Sequence, residues 1–384
     1  MSFFICFYLS FFTRTFIYHI SLIFVDVFEK LKKAKEKDAK FEQILGSMCT
    51  MPHEVARKAY EMFIETNLGD YELFKGTKEL EEKAIEWVAK LLHAPSSYAG
   101  ILTSGGTESN ITALWIFKKL SKKKEVIVPK QAHFSFEKAS SLLDLKLKVI
   151  DCNLYMKAKD IKGKINRDTA CVVAIAGNTN FGYIDEIEEI AEICNEENVF
   201  LHVDAAFGGF VAPFISKKIF DFRAKISSIC VDGHKMGMTC IPCGFLLLRE
   251  KKWLEEIKVE SKCTHTKYQF SLLGTRPGAA AAAVYAIMNY MGIEGYKKMA
   301  MRCMDVIWHL AKLLDEKGIE YFEPELNLLA IKVRNAREIA EKLAKLKWYV
   351  GVDEENETIR IVAMPHVTKD MINKFVNDLG KVIE

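Results

Sequence analysis

The chain has 384 residues, half of them hydrophobic, with 25 Phe, 13 Tyr and 5 Trp; that aromatic content excludes a solvated, disordered coil. Eight Pro and 21 Gly exclude collagen-like or low-complexity sequence. A net charge of +3, from 54 basic and 51 acidic residues, gives no electrostatic reason for a nucleic-acid partner.

Residues 1–25, MSFFICFYLSFFTRTFIYHISLIFV, are almost wholly apolar and precede the Lys-rich KLKKAKEKDAK. A signal peptide needs a basic start and small residues at a cleavage site, and neither is present. A spanning helix has the length, but Arg14 near its centre costs about 2.5–3.5 kcal/mol. Residues 1–40 are therefore expected to be an extension outside the folded domain or a mis-assigned start. A membrane anchor is the second reading, and membrane contact is not favoured.

LEEKAIEWVAKLLH and TESNITALWIFKKL have apolar residues at helical spacing, the second with Thr107 or Ser109 near its start. Short apolar runs follow: EVIVP, KLKVID, ACVVAIAG, VFLHVDA, SSICVD and GFLLLRE, several separated by helical stretches such as DEIEEIAEICNEEN. Near-continuous apolar strands with helices between them predict an α/β fold with a mainly parallel, buried sheet. GAAAAAVYAIMNYMG predicts a helix that Gly292 ends, and a long amphipathic helix continues from it. The order then becomes strand, helix, strand, strand, helix. The spans predicted are a large domain over 41–292, including an N-terminal arm, and a small C-terminal α+β domain over 293–384.

Ten scattered cysteines are too sparse for a disulfide scaffold and predict a reducing, cytoplasmic setting. Cys240 and Cys243 form one CxxC with no second pair to complete a zinc site, so they are read as structural, and no metal is expected.

Ligands of open α/β sheets bind beyond the carboxyl ends of the strands, and four polar clusters lie there. Ser104-Gly105-Gly106-Thr107 opens a helix, where backbone N–H groups and the helix terminus suit a phosphate; an ordinary tight turn is the other reading. His202-Val203-Asp204-Ala205-Ala206 follows a strand: Asp204 either holds a proton on a ring nitrogen or caps the next turn, and the small alanines admit a flat ring. Asp232-Gly233-His234-Lys235 ends another strand. There partial burial is expected to lower the Lys235 pKa, as an imine-forming amine requires, unless Lys235 is simply a surface lysine. His133 in QAHFS is either structural or a ring that stacks on a planar cofactor. A phosphate cradle, an acid, a lysine and a stacking ring together suggest pyridoxal phosphate.

SGGTESN, AHFSFEKA, HVDAAFGGF, VDGHKMG and GTRPG, in this order, resemble the group II pyridoxal-phosphate-dependent amino-acid decarboxylases. ILGSMCT, ETNLGDYELFKGT and RIVAMPH resemble the archaeal L-tyrosine/L-aspartate decarboxylases among them. The resemblance runs from about Phe41 to the C-terminus. It implies fold-type I, the aminotransferase-like fold, and pyridoxal 5'-phosphate as cofactor. Lys235 would bind the cofactor covalently, Asp204 would pair with its ring nitrogen, and His133 would stack on the ring beside Ala206. Gly105, Gly106 and Thr107 would hold the phosphate, with His234 and Thr179 close by. Thr275 and Arg276 would approach the phosphate from the second subunit of a homodimer, and Arg360 would grip the substrate carboxylate.

Two departures from the family pattern stand out. Asn178 replaces a Thr next to Thr179, and Cys263 takes the place of the loop Tyr that protonates Cα in relatives, leaving Tyr268 or His265 for that task. The implied reaction is decarboxylation of L-tyrosine to tyramine (methanofuran biosynthesis), of L-aspartate to β-alanine (coenzyme A biosynthesis), or both. The competing readings are a lyase like those that cleave sphingosine phosphate, and a membrane-tethered binding protein without catalysis.

Overall fold

The computed structural model describes residues 26–383. The Phe-rich segment, and the anchor reading with it, lies outside them; among the described residues no helix is long and apolar enough to cross a membrane. Residues up to Ile44 form a unit of their own, helical over 26–35 with a short 3-10 turn at Phe41–Gln43. The chemistry lies in the unit that starts at Leu45.

That unit is built on a seven-stranded sheet: β1 (Ala99–Thr103), β2 (Glu125–Pro129), β3 (Lys146–Ile150), β4 (Thr169–Ile175), β5 (Phe200–Asp204), β6 (Ser228–Asp232) and β7 (Gly244–Leu248), in the order β1-β7-β6-β5-β4-β2-β3. Only β7 runs against the rest, pairing antiparallel with both β1 and β6. The pairings among β2 to β6 are parallel.

The near-continuous apolar runs are explained by burial on both faces. Along β4, Cys171 and Val173 join one core while Val172 and Ala174 join the other; β7 divides Leu246 and Leu248 from Phe245 and Leu247 in the same way. A strand that faces two cores must be apolar at every position, which removes the polar alternation of a half-exposed strand. The helix Gly106–Ser121 covers one face with Ile111, Leu114 and Phe117. The helices Lys75–Leu91, Ile187–Glu196 and Gly278–Glu316 supply the other core.

Downstream of β8 (Val259–Glu260) and β9 (Tyr268–Gln269), a two-stranded ribbon, comes the helix Gly278–Glu316. The helical run is broken at Gly292, as the sequence predicts, and a second helical segment continues from it. Gly292 leaves helical geometry at φ 57° and ψ −178°, and two helical segments meet there at a kink. A second sheet follows: β10 (Tyr321–Phe322), β11 (Leu328–Lys332), β12 (Gly351–Asp353) and β13 (Thr358–Val362), antiparallel in the order β10-β11-β13-β12.

A buried ion pair ties the start of this architecture together. Arg276 Nη1 pairs with Glu81 of the helix Lys75–Leu91 and donates to the Leu102 carbonyl of β1 at 3.2 Å, while Nη2 donates to the Leu68 carbonyl at 3.1 Å. Lys78 Nζ meets the other Glu81 oxygen at 2.7 Å. Burial pushes the Glu81 carboxyl up, but the two cations outweigh it and hold it below its ordinary value. Its contribution is therefore complete at neutral pH and fades as the pH falls through and below the ordinary glutamate range.

Arg276→Leu leaves Glu81 with one partner on a buried carboxylate, and such losses cost about 3–5 kcal/mol. Urea unfolding at pH 7 is expected to show that loss, shrinking under acid conditions. A loss below about 1 kcal/mol, the range of exposed pairs, would show the pair to be incidental.

Candidate active site

Because six of the seven strands point the same way, their carboxyl ends meet on one edge of the sheet. A cavity of about 270 Å³ opens there. Its walls come from the segments that leave β1 (Gly105, Gly106, Thr107), β2 (His133), β4 (Thr179), β5 (Asp204, Ala206) and β6 (His234, Lys235). These nine residues, predicted from separate motifs, thus line one space.

The exit of β1 is an anion cradle in its geometry. Gly105 sits at φ 146°, in the region that favours glycine, and a Cβ there would lie 2.8 Å from His234 Cε1. A Cβ on Gly106 would lie 3.1 Å from the Ala206 methyl. Both glycines keep the floor open at the N-terminus of the helix Gly106–Ser121, where unpaired N–H groups and the helix dipole favour negative charge.

Lys235 is fixed by its surroundings. The Thr50 N–H donates to the His234 carbonyl at 3.2 Å, the His53 N–H to the Met238 carbonyl at 3.0 Å, and the buried Tyr296 hydroxyl to the Gly237 carbonyl at 2.9 Å. The Lys235 Nζ lies 3.2 Å from Asp232 Oδ2. This corrects the expectation of a lowered pKa. Burial does pull the lysine down, but Asp232 and then Asp204 outweigh it, so Lys235 is held above its ordinary value as an ammonium. Asp232, buried with its Oδ1 unpartnered, stood inside the quoted motif without a role assigned to it.

Asp204 accepts from the Ala206 N–H at 3.0 Å and from Asn110 Nδ2 at 2.9 Å. Burial pushes its carboxyl up, but Lys235 and these donors bring it below the ordinary value, so it is a carboxylate. His133 is half-buried, and that burial lowers its pKa. Its Nδ1 accepts from the Ser135 N–H at 3.2 Å, leaving the ring along the cavity wall beside Phe134.

Asn178, the substitution next to Thr179, is structural. Its side chain donates to the Leu154 carbonyl and accepts from the Phe181 N–H, both at 2.8 Å. The CxxC also fits its structural reading: Cys243 is buried, Cys240 half-buried, and burial raises both thiols. No metal-binding cluster of His, Cys, Asp and Glu occurs among the described residues.

Five predicted residues fall outside the cavity. Arg360, on β13, donates to the Thr179 carbonyl at 2.7 Å and the Gly46 carbonyl at 3.2 Å, with Nε buried and unpartnered. Tyr268 lies in the β8–β9 ribbon, with the Lys258 ammonium 4.2 Å from its ring centre. Thr275 lines a separate cavity of about 460 Å³ together with Cys263. Arg276, predicted to reach a phosphate, is instead committed to Glu81 within its own chain. His265 is occupied as well. Its ring Nδ1 and its N–H both meet Asp70 Oδ2, at 3.0 and 3.1 Å, while Thr266 binds Oδ1. Partial burial pulls the Asp70 carboxyl up, but these bonds hold it down at about 2.

The residues present fit pyridoxal phosphate. They supply an open N–H cradle for a phosphate, a buried carboxylate for a ring nitrogen, a primary amine in the same cavity and a flat wall. Asn110, like Asp232, is a site residue that sequence reasoning missed; it lines the cavity from the helix interior. Its polarity within the buried helical stretch TESNITAL was the available signal.

Residues 47–333 match the family described as "Pyridoxal-dependent decarboxylase conserved domain". The chain is 39% identical over 366 residues to a probable L-aspartate decarboxylase of Archaeoglobus fulgidus, covering 94% of this chain and all of that one. It is 41% identical over 364 residues to a probable L-tyrosine/L-aspartate decarboxylase of Methanothrix thermoacetophila, covering 93% and 95%. Among solved structures, a Lactobacillus brevis glutamate decarboxylase superposes with a TM-score of 0.86 at 21% identity, covering 93% and 91% of the two chains. A Burkholderia pseudomallei sphingosine-1-phosphate lyase gives 0.85 at 22%, covering 93% and 90%. At those identities the likeness shows the shared fold and does not separate decarboxylase from lyase; the sequence relatives do. The chain belongs to the pyridoxal-dependent decarboxylase family.

Proposed function

We propose that this enzyme removes the α-carboxylate of L-tyrosine, L-aspartate or both, and that it works as a homodimer. The observation that carries the reading is the single cavity in which Lys235, Asp204 and the Gly105–Gly106 cradle converge. The names of its relatives supply the substrate class.

Pyridoxal phosphate, when bound, supplies the electron sink that accepts the bonding pair as CO₂ leaves. The protein's task is then to hold, orient and exchange protons. The N–H groups of Gly106 and Thr107, with the Thr107 hydroxyl, would hold the phosphate. Asp204 would keep a proton on the ring nitrogen, an electrostatic contribution made without reorganisation. His133 would supply a flat wall for the ring. Lys235 would hold the cofactor through Nζ, and Asp232, 3.2 Å from that nitrogen, is the carboxylate that would take the amine as an ammonium whenever it is free.

Arg360 is the candidate grip for the substrate carboxylate. Its present acceptors are neutral carbonyls, and a carboxylate is a stronger partner for a guanidinium. Tyr268 and Thr275 serve the cavity of a second copy of the chain, Tyr268 as the source of the proton at Cα. Their place on the ribbon and on a separate cavity, away from their own chain's Lys235, supports this division. The kink at Gly292 fits the predicted division into a large and a small domain.

The direct test is to incubate the enzyme with each amino acid, measure CO₂ and identify the amine. Tyramine or β-alanine is expected, and no CO₂ from either acid would overturn the proposal. Lys235→Ala is expected to lose the absorbance of the covalently held cofactor and at least about a hundredfold in turnover; a variant that keeps both removes Lys235 from its role.

The ammonium state of Lys235 makes a separate prediction. A carbonyl is attacked by the neutral amine, so cofactor uptake by cofactor-free protein is expected to quicken as pH rises. Asp232→Asn removes the opposite charge, lowers the lysine pKa and is expected to move that rate profile to lower pH by about one unit. An unmoved profile would show that Asp232 does not govern the amine.

A further inference from the structure

Four buried polar side chains stand in line behind the cavity. Ser228 Oγ lies 2.8 Å from His202 Nδ1, His202 Nε2 lies 2.8 Å from Asn110 Oδ1, and Asn110 Nδ2 lies 2.9 Å from Asp204 Oδ2. Ser228 and His202 are completely buried, and Asn110 is 1% exposed. Buried polar groups of this kind must satisfy one another, because water does not reach them.

The directions of these bonds are constrained. Asn110 has two N–H donors and one acceptor oxygen. Its Nδ2 group serves Asp204 and, at 2.9 Å, Ser135 Oγ. Its Oδ1 is left to accept from His202 Nε2 and from the Cys230 thiol at 3.1 Å. His202 must therefore carry its proton on Nε2, and Nδ1 accepts from the Ser228 hydroxyl. Reversing the imidazole tautomer would turn the Asn110 amide and set its oxygen against the Asp204 carboxylate. Two acceptors can face each other there only if Asp204 takes up a proton. The tautomer of one buried ring is thereby linked to the charge of the acid in the cavity.

We infer that Asn110 and His202 are positioning residues for Asp204: the fixed amide keeps its carboxylate ionised and oriented in the cavity. This rests on the reading above in which Asp204 serves the ring nitrogen. His202 suits the task because burial holds its pKa at about 4, so it stays a neutral relay across the working range. The other titratable groups around Asp204 are Lys235, Asp232 and Cys230 on the β6 side and His133 at the β2 exit. Lys235 also favours the carboxylate, so Lys235, Asp232, Cys230 and His133 are kept in every variant tested.

The test uses cofactor-free protein carrying ¹³C at the aspartate carboxyls, with the Asp204 signal assigned by its loss in Asp204→Asn. Asn110→Leu, close in size and without the donor, is expected to raise the Asp204 titration midpoint by about one pH unit or more. His202→Leu is expected to raise it as well. His202→Gln is expected to restore it, because its amide N–H and carbonyl replace the two ring nitrogens. A midpoint unmoved in a cooperatively folding Asn110→Leu protein would overturn the inference.

Should a variant fail to fold, the ¹⁵N shifts of His202 in the unaltered protein decide: protonation at Nε2 is required, and protonation at Nδ1 refutes it. Both readouts are made without substrate. Failure to release CO₂ would therefore count against the proposed reaction alone.

Discussion

An ammonium held by two buried carboxylates organises this molecule. Asp232 and Asp204 have left bulk water and the Lys235 side chain is only 19% exposed, and each unpaired charge in such a place costs several kcal/mol. The surrounding structure exists in large part to meet that cost. Asp232 takes the ammonium directly, and Asp204 receives the Ala206 N–H and the Asn110 amide. The loop that carries Lys235 is pinned from three sides, by Thr50, His53 and Tyr296. His133 and His202, both lowered in pKa by burial, add no further positive charge at neutral pH. Lys235, Asp232 and Asp204 together sum to one net negative charge, and the N–H cradle at the helix Gly106–Ser121 opens on the same cavity.

Much of this arrangement was legible in the sequence for a local reason. A strand that packs against a core on each face is apolar throughout, so the first polar or glycine residues after it mark the sheet edge. SGGT after β1, HVDAA at β5 and DGHK at β6 are such marks, and their residues meet in one cavity. What could not be read is what depends on side-chain distances, within one motif or across the chain. Whether burial or an opposing charge governs Lys235 depends on side-chain distances, and Asp232 at 3.2 Å decides it against the expectation. Asn110 looks like any polar position on a helix until His202 and Asp204, far along the chain, close on either side of it. Arg276 looked available to an anion because Glu81, its partner, lies in a distant helix.

The segment between β7 and the helix Gly278–Glu316 follows different rules from the cavity. It is held by Asp70, whose two oxygens accept four hydrogen bonds from His265 and Thr266. Gln269 and Tyr71 add links between the same two regions. Cys263 remains exposed within it. His265 thus serves the segment's attachment, and its imidazole is not free to act elsewhere while Asp70 holds it. Asn178, by contrast, is absorbed into backbone hydrogen bonds beside the cavity.

The position of β1 bears on how the site is assembled in time. β1 is an edge strand, and its only ladder is with β7, so Thr103 finds its partner Gly244 only after the intervening strands have been made. Closing so long a loop is slow compared with pairing neighbours. On a ribosome, β2 to β6 can form their parallel pairs while β1 still lacks its ladder partner. The sheet edge that carries the glycine cradle would therefore be the last part of the site to close, once β7 had inserted between β1 and β6.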